Sequence, residues 1–181
     1  MSEKLYVSAD QQQRDAFRLA RTIYDSGWVP DVLIGLWRGG TPIAITIHEF
    51  LKWKNVDCVH MPVKCTSYMG MKQTPELKID FPMNMMFDIK PGSKVIVIDD
   101  CFDSGKTAMA MKDLLEQHGA EVRICVVYWK PDNNKTNGKP DYYVYSVKAD
   151  QWIVFPHELE DLSSDEIAAK DPELLKILGI E

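Results

Sequence analysis

Val95–Thr107 reads VIVIDDCFDSGKT. Four successive β-branched apolar residues with no polar alternation suit a strand covered on both faces. Lys94 to Ile98 is therefore expected as a strand, DDCFDSG as a turn, and KTAMAMKDLLEQH as a helix closed by Gly119. EVRICVVYW, over residues 121–129, returns as a second strand. Strand, turn, helix and strand in so short a span make the βαβ unit of a parallel sheet with a right-handed crossover.

Upstream the unit repeats. DVLIGL (Asp31 to Leu36) is another strand buried on both faces, WRGG a turn, Pro42 to Trp53 a helix, and VDCVHMPV a third strand. Before it, residues 10–27 form an amphipathic helix. Ala16, Phe17, Ala20, Ile23 and Tyr24 share one face, Asp10 is placed to cap the start, Gly27 to close the end, and Pro30 prevents continuation. Residues 65–82 mix polar residues with Gly70, Pro75 and Pro82 without a period, which predicts a long mobile loop. Downstream, YYVYSVK and QWIVF are strand-like, and Ser163 with Glu166 makes a capping box for a last helix ending near Gly179. The expected architecture is α/β, a mostly parallel central sheet flanked by helices.

The chain has 181 residues, in the range of one domain. Its hydrophobic fraction of 45% contains no run near the roughly 18 apolar residues of a membrane span, and MSEKLYVSAD lacks the pattern of a secretory signal, so a cytoplasmic protein is expected. Cys58, Cys65, Cys101 and Cys125 include no CxxC pair and read as reduced thiols. A net charge of -6 argues against nucleic acid as a partner but permits a local anion pocket.

In an open α/β sheet, ligands bind at the carboxyl ends of strands, where VIVI delivers Asp99, Asp100 and Asp103. DSGKT has the small residues and the helix start that wrap backbone amides around a phosphate, although Asp103 also suits a plain N-cap. A Walker A loop needs glycine where this chain has Asp100, and two carboxylates would repel a triphosphate. Beside a phosphate cradle, an acidic pair suits a sugar phosphate, because carboxylates accept hydrogen bonds from neighbouring hydroxyls. After the first strand, Gly39 and Gly40 let amides approach a ligand, and Arg38 offers a fork of donors to a phosphate.

VIVIDDCFDSGKT resembles throughout the 5-phosphoribosyl 1-pyrophosphate (PRPP) signature of type I phosphoribosyltransferases: an apolar strand, two acids, two intervening residues, then Asp, Ser or Thr, Gly, any residue, Thr. The resemblance covers roughly residues 30–160 and is closest to the 6-oxopurine enzymes. It implies the type I fold as one domain, with a core over about 30–130 and a small C-terminal hood with the base-recognition segment over about 140–181. It implies that Asp99 and Asp100 hold the ribose hydroxyls, that Asp103, Ser104, Gly105, Lys106 and Thr107 form the 5-phosphate loop, and that Asp103 is the catalytic acid or base beside the purine. Arg38 and Gly39 would clamp pyrophosphate. The related xanthine-guanine enzymes carry Ser-Arg-Gly-Gly here, often with a non-proline cis peptide before the arginine, so Trp37 departs by one residue. Ser67 and Tyr68 look like the Ser-Tyr pair of the mobile loop in these enzymes.

For base recognition the resemblance implies Lys130 on the 6-oxo group, Trp152 stacked on the ring and the Ile153 carbonyl at the base edge. It puts Glu158 where relatives help to hold a magnesium ion, Mg2+ being the implied cofactor. The implied activity is salvage of hypoxanthine, guanine or xanthine with release of pyrophosphate, in a homodimer or homotetramer. Another base such as adenine, orotate or uracil, or a nucleotide-sensing regulatory protein on the same fold, stays open at this point, since the fold does not choose the acceptor.

Overall fold

A computed structural model of the chain describes residues 4–69, 75–80 and 89–180. Two compact units divide it, Gln13–Ala149 and Met1–Gln12 with Asp150–Glu181, each described by itself.

In the larger unit, six strands lie in one sheet: β2 (Val32–Trp37), β3 (Val59–Met69), β4 (Pro75–Asp80), β5 (Lys94–Phe102), β6 (Glu121–Trp129) and β7 (Tyr142–Ser146). The order is β4-β3-β2-β5-β6-β7, parallel throughout except for the antiparallel pair β3–β4. Helix α1 (Ala9–Asp25) enters the unit, α2 (Gly40–Trp53) links β2 to β3, and α3 (Lys106–Gln117) links β5 to β6. The expected mostly parallel α/β architecture is present.

Pleating sends alternate side chains of the central strands to opposite faces. Val32, Ile34, Val95 and Val97 join Met111 and Leu115 of α3 in one cluster. On the other face lie Leu33, Ile96 and Ile98, and there Gly35 lets α2 come so close that an added Cβ would meet Ala44 Cβ at 2.9 Å. With both faces covered, each fully buried aliphatic side chain contributes about 1.5–3 kcal/mol, which is why these strands show no polar alternation.

Three expectations need correction. First, residues 65–82 are not all loop: 65–69 continue β3 and 75–80 form β4, paired from Lys64↔Asp80 to Met69↔Pro75. Val63, Thr66, Tyr68 and Ile79 favour extended backbone, but a strand is recognised only with its partner. Residues 70–74, 81 and 82 of that stretch lie outside the described residues. Second, β5 runs on through Asp99, Asp100 and Cys101 to Phe102, so the acids sit on a strand end and not in a turn. The ladder to β6 continues as Asp99↔Val126 and Phe102↔Trp129 and satisfies the backbone there. Third, Asp10 does not cap α1. Ser8 does, its Oγ accepting from the Gln11 N–H at 3.1 Å.

In the smaller unit a strand absent from the sequence reading, β1 (Lys4–Tyr6), pairs in parallel with β8 (Trp152–Val154). This unit combines Asp150–Glu181 with the start of the chain. The single last helix is two, α4 (Ser164–Lys170) and α5 (Pro172–Leu178). Pro172 drives Asp171 to extended backbone (φ -160°, ψ 108°), which ends one helix and caps the next. The Ser163–Glu166 capping box is present in full.

Candidate active site

β2 and β5 are neighbours, yet β2 leads through α2 outward to β3 while β5 leads through α3 the other way to β6. The turns after them leave the same edge of the sheet in opposite directions, and the crevice this opens is where α/β sheets bind ligands.

WRGG forms one wall. The Trp37–Arg38 peptide is cis, and α2 starts at Gly40 with Gly39 as its N-cap. A Cβ on Gly39 would lie 1.8 Å from Asp100 Oδ2, and one on Gly40 2.0 Å from the Ile98 carbonyl oxygen. The two glycines make room for different groups: Gly39 for the Asp100 carboxylate and Gly40 for the backbone of β5. Arg38 is exposed, and its carbonyl accepts from the Thr41 N–H at 3.2 Å.

β5 supplies the acids. The Asp100 N–H donates to Asp99 Oδ1 at 3.0 Å. Burial, and then the neighbouring Asp100 charge, push the Asp99 carboxyl well above the ordinary carboxylate range, while that hydrogen bond pulls the other way. Burial also raises the Cys65 thiol to about 11, with Asp99 and Asp80 adding to the effect.

Beyond Phe102 the chain turns through Asp103 and Ser104 to Gly105, whose φ of +78° is a left-handed conformation that favours glycine. A Cβ there would also meet the ring of buried Phe102 at 2.4 Å. Gly105 is the N-cap of α3 and brings no capping side chain, so the helix presents backbone N–H groups and the positive end of its dipole. The N-cap role open to Asp103 is thus not taken. A cavity of about 100 Å³ lies at this helix start, lined by Asp99, Asp103, Ser104, Gly105 and Thr107 among others. Its chemistry suits an oxyanion at the amides with hydroxyl groups near the carboxylates.

Lys130 follows β6, its Nζ 3.6 Å from Asp103 Oδ1 and its side chain 12% exposed. The same oxygen accepts from Asn133 Nδ2 at 2.7 Å. Sequence reasoning missed Asn133, since nothing in a Pro-Asp-Asn turn marks it as a partner of a loop thirty residues earlier.

The larger unit therefore brings Arg38, Gly39, Asp99, Asp100, Asp103–Thr107 and Lys130 to one edge of the sheet. Ser67 and Tyr68 lie on β3, opposite Leu77 and Glu76, and their side chains fall outside the described residues. Trp152, Ile153 and Glu158 belong to the smaller unit. There Trp152 is 54% exposed with Lys4 Nζ 5.9 Å from its ring centroid, and Ile153 is buried. Glu158 Oε2 accepts from the Phe155 N–H at 3.0 Å, closing its own turn. Among the described residues no group of three or more His, Cys, Asp or Glu side chains is placed to hold a metal ion.

Residues 8–164 match the family model described as phosphoribosyl transferase domain. The chain is 31% identical over 162 residues to the xanthine-guanine phosphoribosyltransferase of Cereibacter sphaeroides, spanning 85% of this chain and 86% of that one. To the hypoxanthine-guanine phosphoribosyltransferase of Lactococcus lactis it is 27% identical over 134 residues, 72% and 68% of the two chains. Among solved structures it is similar to a purine phosphoribosyltransferase from Pyrococcus horikoshii, with 28% identity and a TM-score of 0.72 over 89% of this chain and 98% of that one.

Proposed function

The chain belongs to the phosphoribosyltransferase family, and from that premise we propose that it is a purine-salvage enzyme transferring the 5-phosphoribosyl group of PRPP to hypoxanthine, guanine or xanthine. The observation that carries this reading is the packing of Gly39 against Asp100. It supports a single site in which a pyrophosphate clamp, a sugar-hydroxyl pair and a phosphate loop adjoin.

Breaking the bond from the ribosyl carbon to pyrophosphate builds positive charge on the sugar and negative charge on the leaving group, so the protein's work is positioning and charge stabilisation. In our reading Arg38 and the amides of its turn take the pyrophosphate. Ser104, Gly105, Lys106 and Thr107 take the 5-phosphate at the start of α3. Asp99 and Asp100 accept from the ribose hydroxyls, and those donors offset the crowding of two carboxyl groups. Asp103 contacts the ring nitrogen of the purine and moves its proton. Lys130 donates to the 6-oxo group, which a 6-amino purine cannot match, so adenine is rejected.

Trp152 as the stacking ring, Ile153 as a base contact and Glu158 as a metal ligand keep the roles the resemblance implies, as proposals tested one by one by substitution. Magnesium, when bound, supplies charge neutralisation on pyrophosphate. The hard carboxylate oxygens of Asp99 and Asp100 fit a cation that takes few protein ligands and fills the rest with substrate oxygens and water. A cytoplasmic location is proposed in keeping with four free cysteines. No helix among the described residues is long and apolar enough to cross a membrane.

The test is incubation of the purified protein with PRPP, magnesium and, separately, hypoxanthine, guanine, xanthine and adenine, following nucleotide formation and pyrophosphate release. Turnover of oxopurines but not adenine is expected. Turnover of adenine alone would overturn the base assignment, and none with any base would overturn the activity.

A further inference from the structure

We infer that Asn133 is a positioning residue for the reaction, its side-chain amide holding the Asp103 carboxylate in the orientation that meets the purine. The inference rests on the reading of Asp103 as the group that moves the ring proton.

Asp103 stands where β5 has ended and α3 has not begun, with its side chain 49% exposed, so no regular backbone and little packing fixes its rotamer. What fixes it is the segment after β6. The Lys130 N–H donates to the Phe102 carbonyl at 3.0 Å and the Lys135 N–H to the Ser104 carbonyl at 2.9 Å, so this segment is tied to the loop on both sides of Asp103. Between these ties Pro131–Asn133 forms a 3-10 turn, the Asn133 N–H donating to the Lys130 carbonyl at 3.2 Å. From that turn Asn133 Nδ2 reaches Asp103 Oδ1 at 2.7 Å. A carboxylate only accepts, so the amide nitrogen is the end that must face it.

Lys130 Nζ stands 3.6 Å from the same Oδ1, beyond a good hydrogen bond, so the neutral amide and not the ammonium sets the orientation. Both contacts fall on Oδ1, and we assign Oδ2 to the base. A neutral donor also leaves the lysine free to turn to the 6-oxo group. One short segment then aligns the residue that selects the base with the residue that moves its proton.

The test is a pair of substitutions and a double-mutant cycle, read by kcat, by KM for PRPP and by thermal midpoint. Asn133→Ala is expected to lower kcat roughly tenfold, a fraction of the hundredfold or more that a general acid–base group contributes, with KM for PRPP within about twofold. Asn133→Asp keeps the shape but sets carboxylate against carboxylate. It should lose more than Asn133→Ala at neutral pH and regain activity as the pH falls and the pair shares a proton, a signature that a purely structural asparagine would not give. In an Asp103→Ala background, Asn133→Ala should bring no further loss. If Asp103→Ala is crippled but Asn133→Ala matches the parent, or the two losses multiply, the positioning role is overturned and the reading of Asp103 stands. If Asp103→Ala keeps parental kcat, the reading of Asp103 falls and takes the inference with it.

Discussion

Gly39→Ala isolates one contact of the site. The φ of Gly39 is -66° and its ψ -31°, ordinary helical values, so alanine brings no backbone penalty and α2 should keep its start. The new methyl would lie 1.8 Å from Asp100 Oδ2 and 2.3 Å from Cγ, where ordinary contact begins at 3.4 Å. The carboxylate must therefore retreat by 1.6 Å, and being a side chain at a strand end it can. A displacement near 1 Å in a reacting site costs on the order of 100-fold, or about 2.7 kcal/mol of transition-state stabilisation. Because Asp100 is assigned to the sugar, the loss should fall on kcat/KM for PRPP and be the same whichever oxopurine is the acceptor. Steady-state kinetics with PRPP varied against saturating hypoxanthine and guanine, alongside a thermal melt, check this. Parental kinetics for PRPP in a folded Gly39→Ala protein would refute the assignment of Asp100, and so would a loss confined to one base.

Gly40→Ala should behave in the opposite way. Its methyl would meet the Ile98 carbonyl oxygen at 2.0 Å and Asp99 Cα at 2.9 Å, all backbone, so the start of α2 and β5 must part. We expect a loss beyond the usual 1–3 kcal/mol of overpacking, seen as a lower thermal midpoint, and a parental midpoint would contradict the packing described. Lys130→Ala should lower kcat/KM for hypoxanthine by roughly 10- to 100-fold and narrow the preference over adenine, and an unchanged base preference would remove Lys130 from recognition. Asp99→Asn tests the buried acid through stability. Burial and Asp100 raise its carboxyl above the ordinary 3.8, so its favourable contribution is complete below that value and is lost as pH rises through the folded-state value. The thermal midpoint of Asp99→Asn relative to the parent should climb from pH 4 to pH 8, each kcal/mol appearing as roughly 2–4 °C, and a difference independent of pH would refute the burial of charge.

The parts of the fold legible in the sequence are those whose evidence is local. VIVI and ICVVY are apolar without alternation because both faces of the sheet are covered, and the helix after DSGKT shows its start and stop within a few residues. β4 and β1 were illegible for the opposite reason. Their residues qualify as strands only beside β3 and β8, and three residues of β1 are too few to show a period. The break at Asp171–Pro172 is written in the sequence, because a residue before proline leaves the helical region, but the apolar spacing on either side runs through it as if in one helix.

Candidate site residues divide along the same line, and sheet order explains why. Asp99, Asp100 and Asp103–Thr107 were legible because one contiguous segment crosses the crevice. The contact of Gly39 with Asp100 depends instead on β2 and β5 being neighbours, a fact that requires the whole strand order β4-β3-β2-β5-β6-β7. Asn133 is harder still: it reaches Asp103 only because Lys130 and Lys135 donate backbone hydrogen bonds to Phe102 and Ser104, and no residue type announces such ties. A crevice at a point where connections diverge collects its chemistry from loops distant in sequence. Residues that touch ligand can form a recognisable string, while the residues that hold them in place come from the next strand over and change with its loop. With Asp103 read as the residue that meets the base, Asp103 and Asn133 are such a pair, and on that reading relatives with the same signature but a different segment after β6 should support that aspartate by other means.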